Sequence, residues 1–286
     1  MNRVRRATVI THRRPDEIAS ALTELRKAAA EAGVELCFDE EETRKHELDN
    51  GAGLALHAPV GCKADLCVVL GGDGTILQAL RTYIGTGTPV FAVNFGEVGF
   101  LATVEPEEGG DAFRRALAGN FETMELPAIV VDGRAEAGWS AINDVSFHRK
   151  PGLRVADLSY AVSDEEVGRV RCDGIVVSTP AGSTGYNLAN GGPVMAWGVE
   201  GYAVSFIAPH SLTARGLVVA PQDTLSVSNR SREEPIDVTV DGRPICELGP
   251  GESLRMMFRD GLGTLAQIPG ASFYHRLRQK FGRLAS

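Results

Sequence analysis

The spacing of apolar residues changes character near Asn120. Before that point, short apolar runs alternate with longer stretches that repeat at three and four residues. Ala7 to Ile10, Glu35 to Phe38, Leu66 to Leu70 and Pro89 to Asn94 read as strands. The third is a continuous apolar run of the kind buried on both faces of a parallel sheet. Pro15 to Ala32 places Ile18, Leu22 and Leu25 on one face and is followed by Gly33, which predicts a helix with a proline start and a glycine stop. Ile76 to Arg81, capped by Thr75, and Pro106 to Gly119 predict further helices. Asp39 to Asn50 is acidic and polar and reads as loop or solvated helix. The β-α-β rhythm predicts a parallel sheet flanked by helices.

From Leu126 onward the signals are short strands and turns. Ala128 to Val131, Ala141 to Phe147, Leu158 to Val162, Gly174 to Ser178, Val204 to Ile207, Leu217 to Val219, Thr224 to Ser228 and Ile236 to Val240 follow one another, with Asp241-Gly242 and Pro250-Gly251 among the turn signals. Many short strands at this spacing predict a β-sandwich. The tail from Phe273 to Leu284 reads as helical again. Phe273, Leu277 and Phe281 share one face, and Arg276, Arg278, Lys280 and Arg283 lie elsewhere. A basic amphipathic helix either lies on a membrane or docks on its own protein, and so small an apolar face favours docking. The expected plan is an α/β domain over 1–120, a β-sandwich over 121–261, and a tail over 262–286 that returns to the α/β domain and buries Phe281 there.

Composition narrows the class. The chain has 286 residues, 43% hydrophobic and 23% charged, with a net charge of -8. That is ordinary for a soluble globular protein and argues against a nucleic-acid partner. No run approaches the ~20 apolar residues that span a bilayer, and Ala7 to Ile10 is too short for a signal segment behind the basic Met1 to Arg6. A cytoplasmic protein with no membrane partner is expected. The cysteines at 37, 62, 67, 172 and 246 are scattered and do not form a disulfide framework. Cys62, Cys67 and His57 fit no common zinc spacing, so no metal ligand is assigned there.

Two stretches carry candidate chemistry. Leu70 to Thr75 reads Leu-Gly-Gly-Asp-Gly-Thr and joins a strand's carboxyl end to a helix start, where ligands of open α/β sheets bind. Gly71, Gly72 and Gly74 let a phosphate approach the backbone, and Thr75 stands at the helix start, which favours an anion. There is no P-loop lysine, and the acidic residue lies inside the turn, unlike a dinucleotide fingerprint. A carboxylate so close to phosphate is repelled unless it holds a metal ion or takes a proton from an attacking hydroxyl. The plainer alternative is that Asp73 orders a tight turn. The second stretch, Cys172 to Pro193, leads a strand into a loop of glycine and small hydroxyl residues with backbone N–H groups to offer a polar ligand. Tyr186 is placed to lie against a base or ring. Asn143 and Asp144 put two polar residues in an apolar run, which fits either a bulge facing a ligand or a solvent-facing edge.

Gly71-Gly72-Asp73-Gly74-Thr75, Asn143-Asp144, Asp173-Gly174, Thr179 to Tyr186 and Gly191-Gly192-Pro193 resemble, in order and spacing, the motif series of NAD kinases. His210 to Arg215 and Asp241-Gly242-Arg243 extend the resemblance over nearly the whole chain. The glycine turn alone also marks lipid kinases; the long motif from Asp173 is far more specific. The resemblance implies a Rossmann-like amino-terminal domain, a carboxy-terminal β-sandwich and phosphorylation of the adenosine ribose 2′-hydroxyl of NAD by ATP or polyphosphate. It implies Asp73 as the catalytic aspartate, with Gly74 beside the dinucleotide. Asn143 and Asp144 would hold the adenosine part, Asp173 and Arg171 would lie near the nicotinamide end, and Thr184, Gly185, Tyr186, Asn187, Leu188 and Ala189 would line the dinucleotide. Arg243 stands where Gln is frequent, Asp144 where Glu is usual, Gly185 where Ala is frequent and Gly216 where Pro is frequent. Mg²⁺ on the donor phosphates, a dinucleotide in the cleft between the domains, and a homodimer or homotetramer complete the expectation. Two rival readings are a lipid or sphingoid-base kinase and a non-catalytic dinucleotide sensor.

Overall fold

Backbone preferences set the first helix. The computed structural model describes residues 3–97, 99–132, 138–268 and 273–282, except for the side chain of Lys280. Helix α1 runs Pro15–Ala32, with Pro15 in its first turn and Gly33 beyond its end at φ 67°, a left-handed conformation that glycine adopts without steric cost. It follows β1 (Arg6–Thr11) and precedes β2 (Glu35–Asp39), α2 (Glu40–Lys45), β3 (Leu54–Ala58), β4 (Leu66–Gly71), α3 (Asp73–Thr82), β5 (Val90–Asn94) and α4 (Gly109–Leu117). The five strands are parallel and ordered β3-β2-β1-β4-β5. Chain order reverses between β1 and β4, which pair from Ala7 opposite Leu66 to Thr11 opposite Leu70. That reversal opens a crevice at the strands' carboxyl ends.

Strand β4 is buried along its whole length because both faces are covered. Leu66, Val68 and Leu70 join Ile18, Leu22, Leu25, Phe113 and Ala116 in one core. The alternate residues Cys67 and Val69 are also buried. On the other face of the neighbouring strand, Tyr83, just past α3, donates a hydrogen bond to Thr8 at 2.8 Å.

The β-rich part comprises β6 (Glu122–Val131), β7 (Ser140–Ala141), β8 (Asp144–Arg149), β9 (Ala156–Val162), β10 (Glu165–Cys172), β11 (Gly174–Ser178), the single-turn α5 (Tyr186–Ala189), β12 (Tyr202–Ile207), β13 (Leu217–Val219), β14 (Leu225–Asn229), β15 (Ile236–Val240), β16 (Arg243–Leu248) and β17 (Ser253–Gln267). Strands β13-β12-β11-β8-β15-β16 form one antiparallel sheet. In the other, β10, β9, β14 and the start of β17 are neighbours, and β6 pairs β17 and β7. Inward residues of both sheets, among them Phe147, Val177, Val204, Leu158, Val227 and Met256, make a single core, the signature of a sandwich. Two units result: Met1–Glu125 with Gly263–Ser286, and Leu126–Leu262. The end of β17 lies in the first unit, where Leu265 pairs in parallel with Val90 of β5. Helix α6 (Phe273–Phe281) lies there too, with Phe100 6.1 Å from Phe273 and 5.5 Å from Phe281 between ring centroids.

Several local expectations need correction. Gly72, not Thr75, occupies the cap position of α3, so Asp73 is the first helical residue. Ala141 to Phe147 is not one strand: β7 ends at Ala141 and β8 starts at Asp144. The Asp39 to Asn50 stretch contains α2, whose Glu42 is buried, not solvated, because Thr11, Lys45 and His46 surround its carboxylate. Strands β3, β10, β16 and β17 were not anticipated. Pro106 to Gly119 opens with a 3-10 turn over Pro106–Glu108 before α4. Arg283 and Leu284 lie outside the described residues. Phe281 is 40% exposed, whereas Phe273 and Leu277 are each 8% exposed.

The burial of α6 therefore rests on Phe273 and Leu277. Leu277→Asp places an unpaired charge in that contact and should lower stability by about 3 kcal/mol or more, with Phe281→Asp costing much less. Thermal melting of the two variants measures the difference; equal losses would mean that the helix packs through Phe281 after all.

Candidate active site

The glycine turn lies at the carboxyl end of β4, beside the crevice where strand order reverses. Its three glycines are there for different reasons. A methyl group added at Gly71 would lie 2.7 Å from the side chain of Thr75, which folds back over the turn. One added at Gly96 would lie 2.7 Å from the Cα of Gly72, and one at Gly72 3.0 Å from the Cα of Gly96. Two backbones touch there, and Phe95 N–H donates to Gly71 O at 3.1 Å. At Gly74 an added methyl would meet nothing within 4 Å, and the residue is exposed. Packing explains Gly71 and Gly72; Gly74 faces open space.

Asp73, in the first turn of α3, carries its charge at the positive end of the helix dipole. Its carboxylate accepts one N–H on each oxygen: Phe100 on Oδ2 at 3.0 Å and Leu101 on Oδ1 at 2.8 Å. The donors belong to a loop that follows β5, which sequence reasoning did not single out. Asn94 organises it: its Oδ1 accepts from Gly96 N–H at 3.0 Å and its Nδ2 donates to Glu105 at 2.9 Å. Gly99 packs so close that a methyl there would collide with the Asn94 amide. The recoverable signal was Asn94-Phe95-Gly96 and Gly99-Phe100-Leu101 directly after a strand. A carboxylate held in this way can orient a hydroxyl and take its proton.

In the second unit the gap between β7 and β8 is a built feature. Asp241, at the tip of the β15–β16 hairpin with φ 47°, accepts from the N–H groups of Ile142 at 3.1 Å, Asn143 at 2.7 Å and Asp144 at 3.2 Å. The carbonyls of the same segment are bound by the loop after β11. Thr179 Oγ1 donates to Ile142 O at 2.5 Å and Thr179 N–H to Asn143 O at 2.9 Å. With the backbone so fixed, the Asn143 side chain is left with a buried, unpartnered Oδ1. A buried acceptor without a donor costs about 1–3 kcal/mol and is suited to a ligand hydroxyl or amino group. Asp144 is buried, and burial, with Asp241 beside it, pushes its carboxyl up from 3.8 to about 7. Burial also raises the Tyr186 hydroxyl, with smaller contributions from Asp144 and Asp173. The Tyr186 ring stacks on His148, centroids 5.6 Å apart.

The other expected residues divide. Asp173 is held by the guanidinium of Arg149, which sequence reasoning missed. Arg171 lies on an exposed position of β10, and Arg243 on an exposed position at the start of β16. Thr184 and Leu188 are half-buried, and Gly185 and Ala189 exposed. Asn187 faces inward: its Nδ2 donates to Ser183 O at 3.1 Å and Pro193 O at 2.9 Å, clamping the loop from within. No group of three or more His, Cys, Asp or Glu side chains among the described residues could hold a metal ion.

The raised Asp144 value has a sign that can be checked. The unfolded group ionises near 3.8 and the folded one near 7, so its contribution to stability is complete below pH 4 and is lost as pH rises to about 7. Asp144→Asn should melt level with the parent at about pH 4 and above it at about pH 8. A difference in melting temperature that stays flat across that range would show that no buried charge forms there.

Known proteins resemble this chain in sequence and in fold. The family model for the ATP-NAD kinase N-terminal domain matches residues 8–121, and that for the C-terminal domain matches 142–259. The NAD kinase of Gemmatimonas aurantiaca is 34% identical over 97% of this chain and 96% of its own. That of Symbiobacterium thermophilum is 36% identical over 79% and 81%. Among solved structures, yeast NADH kinase complexed with NADH superposes with a TM-score of 0.88 at 21% identity, covering 100% of this chain and 90% of that one. An Archaeoglobus fulgidus NAD kinase in complex with ATP gives 0.74 at 23%, covering 97% of each. On the matched domains and the full-length relatives, the chain belongs to the NAD kinase family.

Proposed function

We propose that this chain transfers the terminal phosphoryl group of ATP to the 2′-hydroxyl of the adenosine ribose of NAD, giving NADP. The observation that carries the reading is the Asp73 carboxylate, pinned by one amide on each oxygen beside the open backbone at Gly74. Asp73 takes the proton of the ribose hydroxyl, or orients it. Gly71, Gly72, Gly74 and Thr75 border the donor phosphates, and the exposed Gly74 admits close approach. Asn143 and Asp144 hold the adenosine part, through the unpartnered Asn143 Oδ1 and an Asp144 carboxyl that keeps its proton to about pH 7 and can donate it in a hydrogen bond. Asp173, Arg171, Tyr186, its flanking loop residues and Arg243 serve the rest of the dinucleotide. Asn187 acts there by shaping the loop.

Mg²⁺ belongs to the same reading. A single carboxylate at the turn suits a cation held chiefly by substrate phosphates and water, as Mg²⁺ commonly is. When bound it neutralises phosphate charge. What the protein supplies is position and a proton acceptor, because phosphoryl transfer needs little covalent help. Relatives named as NAD kinases, and structural neighbours described with NADH and with ATP, support these substrates. The reading extends to a cytoplasmic enzyme, supported by five free cysteines, with no helix among the described residues long and apolar enough to cross a membrane. It also extends to a homodimer or homotetramer, which light scattering during size exclusion measures.

Incubation with ATP, Mg²⁺ and NAD should yield NADP in a coupled assay, and its absence from folded protein would overturn the reading. Asp73→Asn should lower kcat by at least ~10²-fold while leaving the fold intact. Asn143→Ala should act on the KM for NAD; an unchanged KM, with direct binding confirmed, would return Asn143 to a purely structural role.

A further inference from the structure

The loop that pins Asp73 is gripped from its other side. Arg276 of α6 is buried. Its guanidinium donates to the carbonyls of Phe100 at 2.9 Å, Ala102, and Thr103 at 3.4 Å, and to Gln267 Oε1 at 2.7 Å. One peptide unit therefore bridges two side chains. The carbonyl of the Phe100–Leu101 peptide accepts from Arg276, and the N–H of the same peptide donates to Asp73 Oδ1. A peptide unit is planar, so fixing its carbonyl fixes the direction of its N–H. A cation on the carbonyl also polarises the amide and strengthens the bond that its N–H makes.

Anchoring the helix does not by itself call for arginine. Phe273 and Leu277 already supply apolar burial, and a buried guanidinium is costly to desolvate. Burial pulls Arg276 down to about 10, while Asp73 and Glu105 act in the opposite sense, so the side chain is charged at neutral pH. The fork also matches its acceptors in a way that a lysine ammonium does not, since it reaches three backbone carbonyls and an amide oxygen at once.

We propose that Arg276 is a positioning residue for phosphoryl transfer: through the Phe100–Leu101 peptide it holds the Asp73 carboxylate in the orientation that receives the hydroxyl proton. The proposal rests on Asp73 being the proton acceptor. Its test uses the full chain with Arg276→Met, Arg276→Lys, Leu277→Ala as a packing control, and Asp73→Asn alone and combined with Arg276→Met.

Arg276→Met should lower kcat by up to about 10²-fold, the scale of a misplaced catalytic group, with the KM for NAD within about threefold of the parent. Arg276→Lys should recover part of the loss. Leu277→Ala should lower the melting temperature yet keep kcat when assayed well below it. Amide exchange at Phe100 and Leu101 should quicken in Arg276→Met and not in Leu277→Ala, and Arg276→Met should cost little further on the Asp73→Asn background. If Arg276→Met does not fold, Arg276→Lys carries the same comparison. Full turnover by the arginine variant beside an inactive Asp73→Asn overturns the positioning role and leaves the base assignment standing. So does a loss that Leu277→Ala reproduces with the same exchange pattern. Full turnover by Asp73→Asn overturns the base assignment, and the positioning role with it.

Discussion

Two backbone turns in the α/β unit come within van der Waals reach of each other, at Gly72 and Gly96, with no side chain between them. That contact sets how near the loop after β5 can come to the start of α3. Asp73 has a short side chain, and it reaches two amides of that loop only because the glycine pair removes the bulk that would hold the turns apart. Asn94 then closes the loop on itself through Gly96 and Glu105. The carboxylate proposed as the proton acceptor is also the group that joins the two turns, so under that proposal packing and reactivity share the same atoms.

The β-rich unit solves a related problem with a different acid. Asp241 turns a hairpin and spends its carboxylate on three amides of the neighbouring segment. Thr179 takes the carbonyls of that segment. A short stretch between two strands thus loses its freedom without joining a ladder, and Asn143 and Asp144 are presented with side-chain groups that the fold itself does not use. In both units an aspartate replaces a missing run of sheet hydrogen bonds, and the candidate ligand groups sit beside the replacement.

What the sequence showed and what it hid follow from the range of the interactions. Helix α1 was legible to the residue because its boundaries are local: proline at one end and glycine at the other. The glycine turn and the loop after β11 were legible as motifs. Strand β10, with Glu165, Glu166, Arg169 and Arg171, alternates too weakly to stand out, and β17 passes through Gly261, where the sandwich was expected to end. Ala141 to Phe147 looked like one strand because the carboxylate that interrupts it lies 97 residues away from Asp144. Asn187 carried the composition of a binding residue, yet its carboxamide is turned into its own loop, a choice that only the folded chain reveals.

The passage of β17 from one unit to the other has a consequence for biosynthesis. The α/β unit has its β1 to β5 strands by Asn94, but the strand beside β5 and the helix against Phe100 come only after the whole stretch from Leu126 to Leu262 has been made. On a ribosome, the β-rich unit has its complete sequence first, while β5 of the amino-terminal sheet is paired with Thr103 and Val104 along Ala92 to Asn94 but still lacks Leu265 opposite Val90. The nascent enzyme thus passes through a stage in which half of it can be native and the carboxylate turn is present, but the returning segment that braces its loop has yet to emerge.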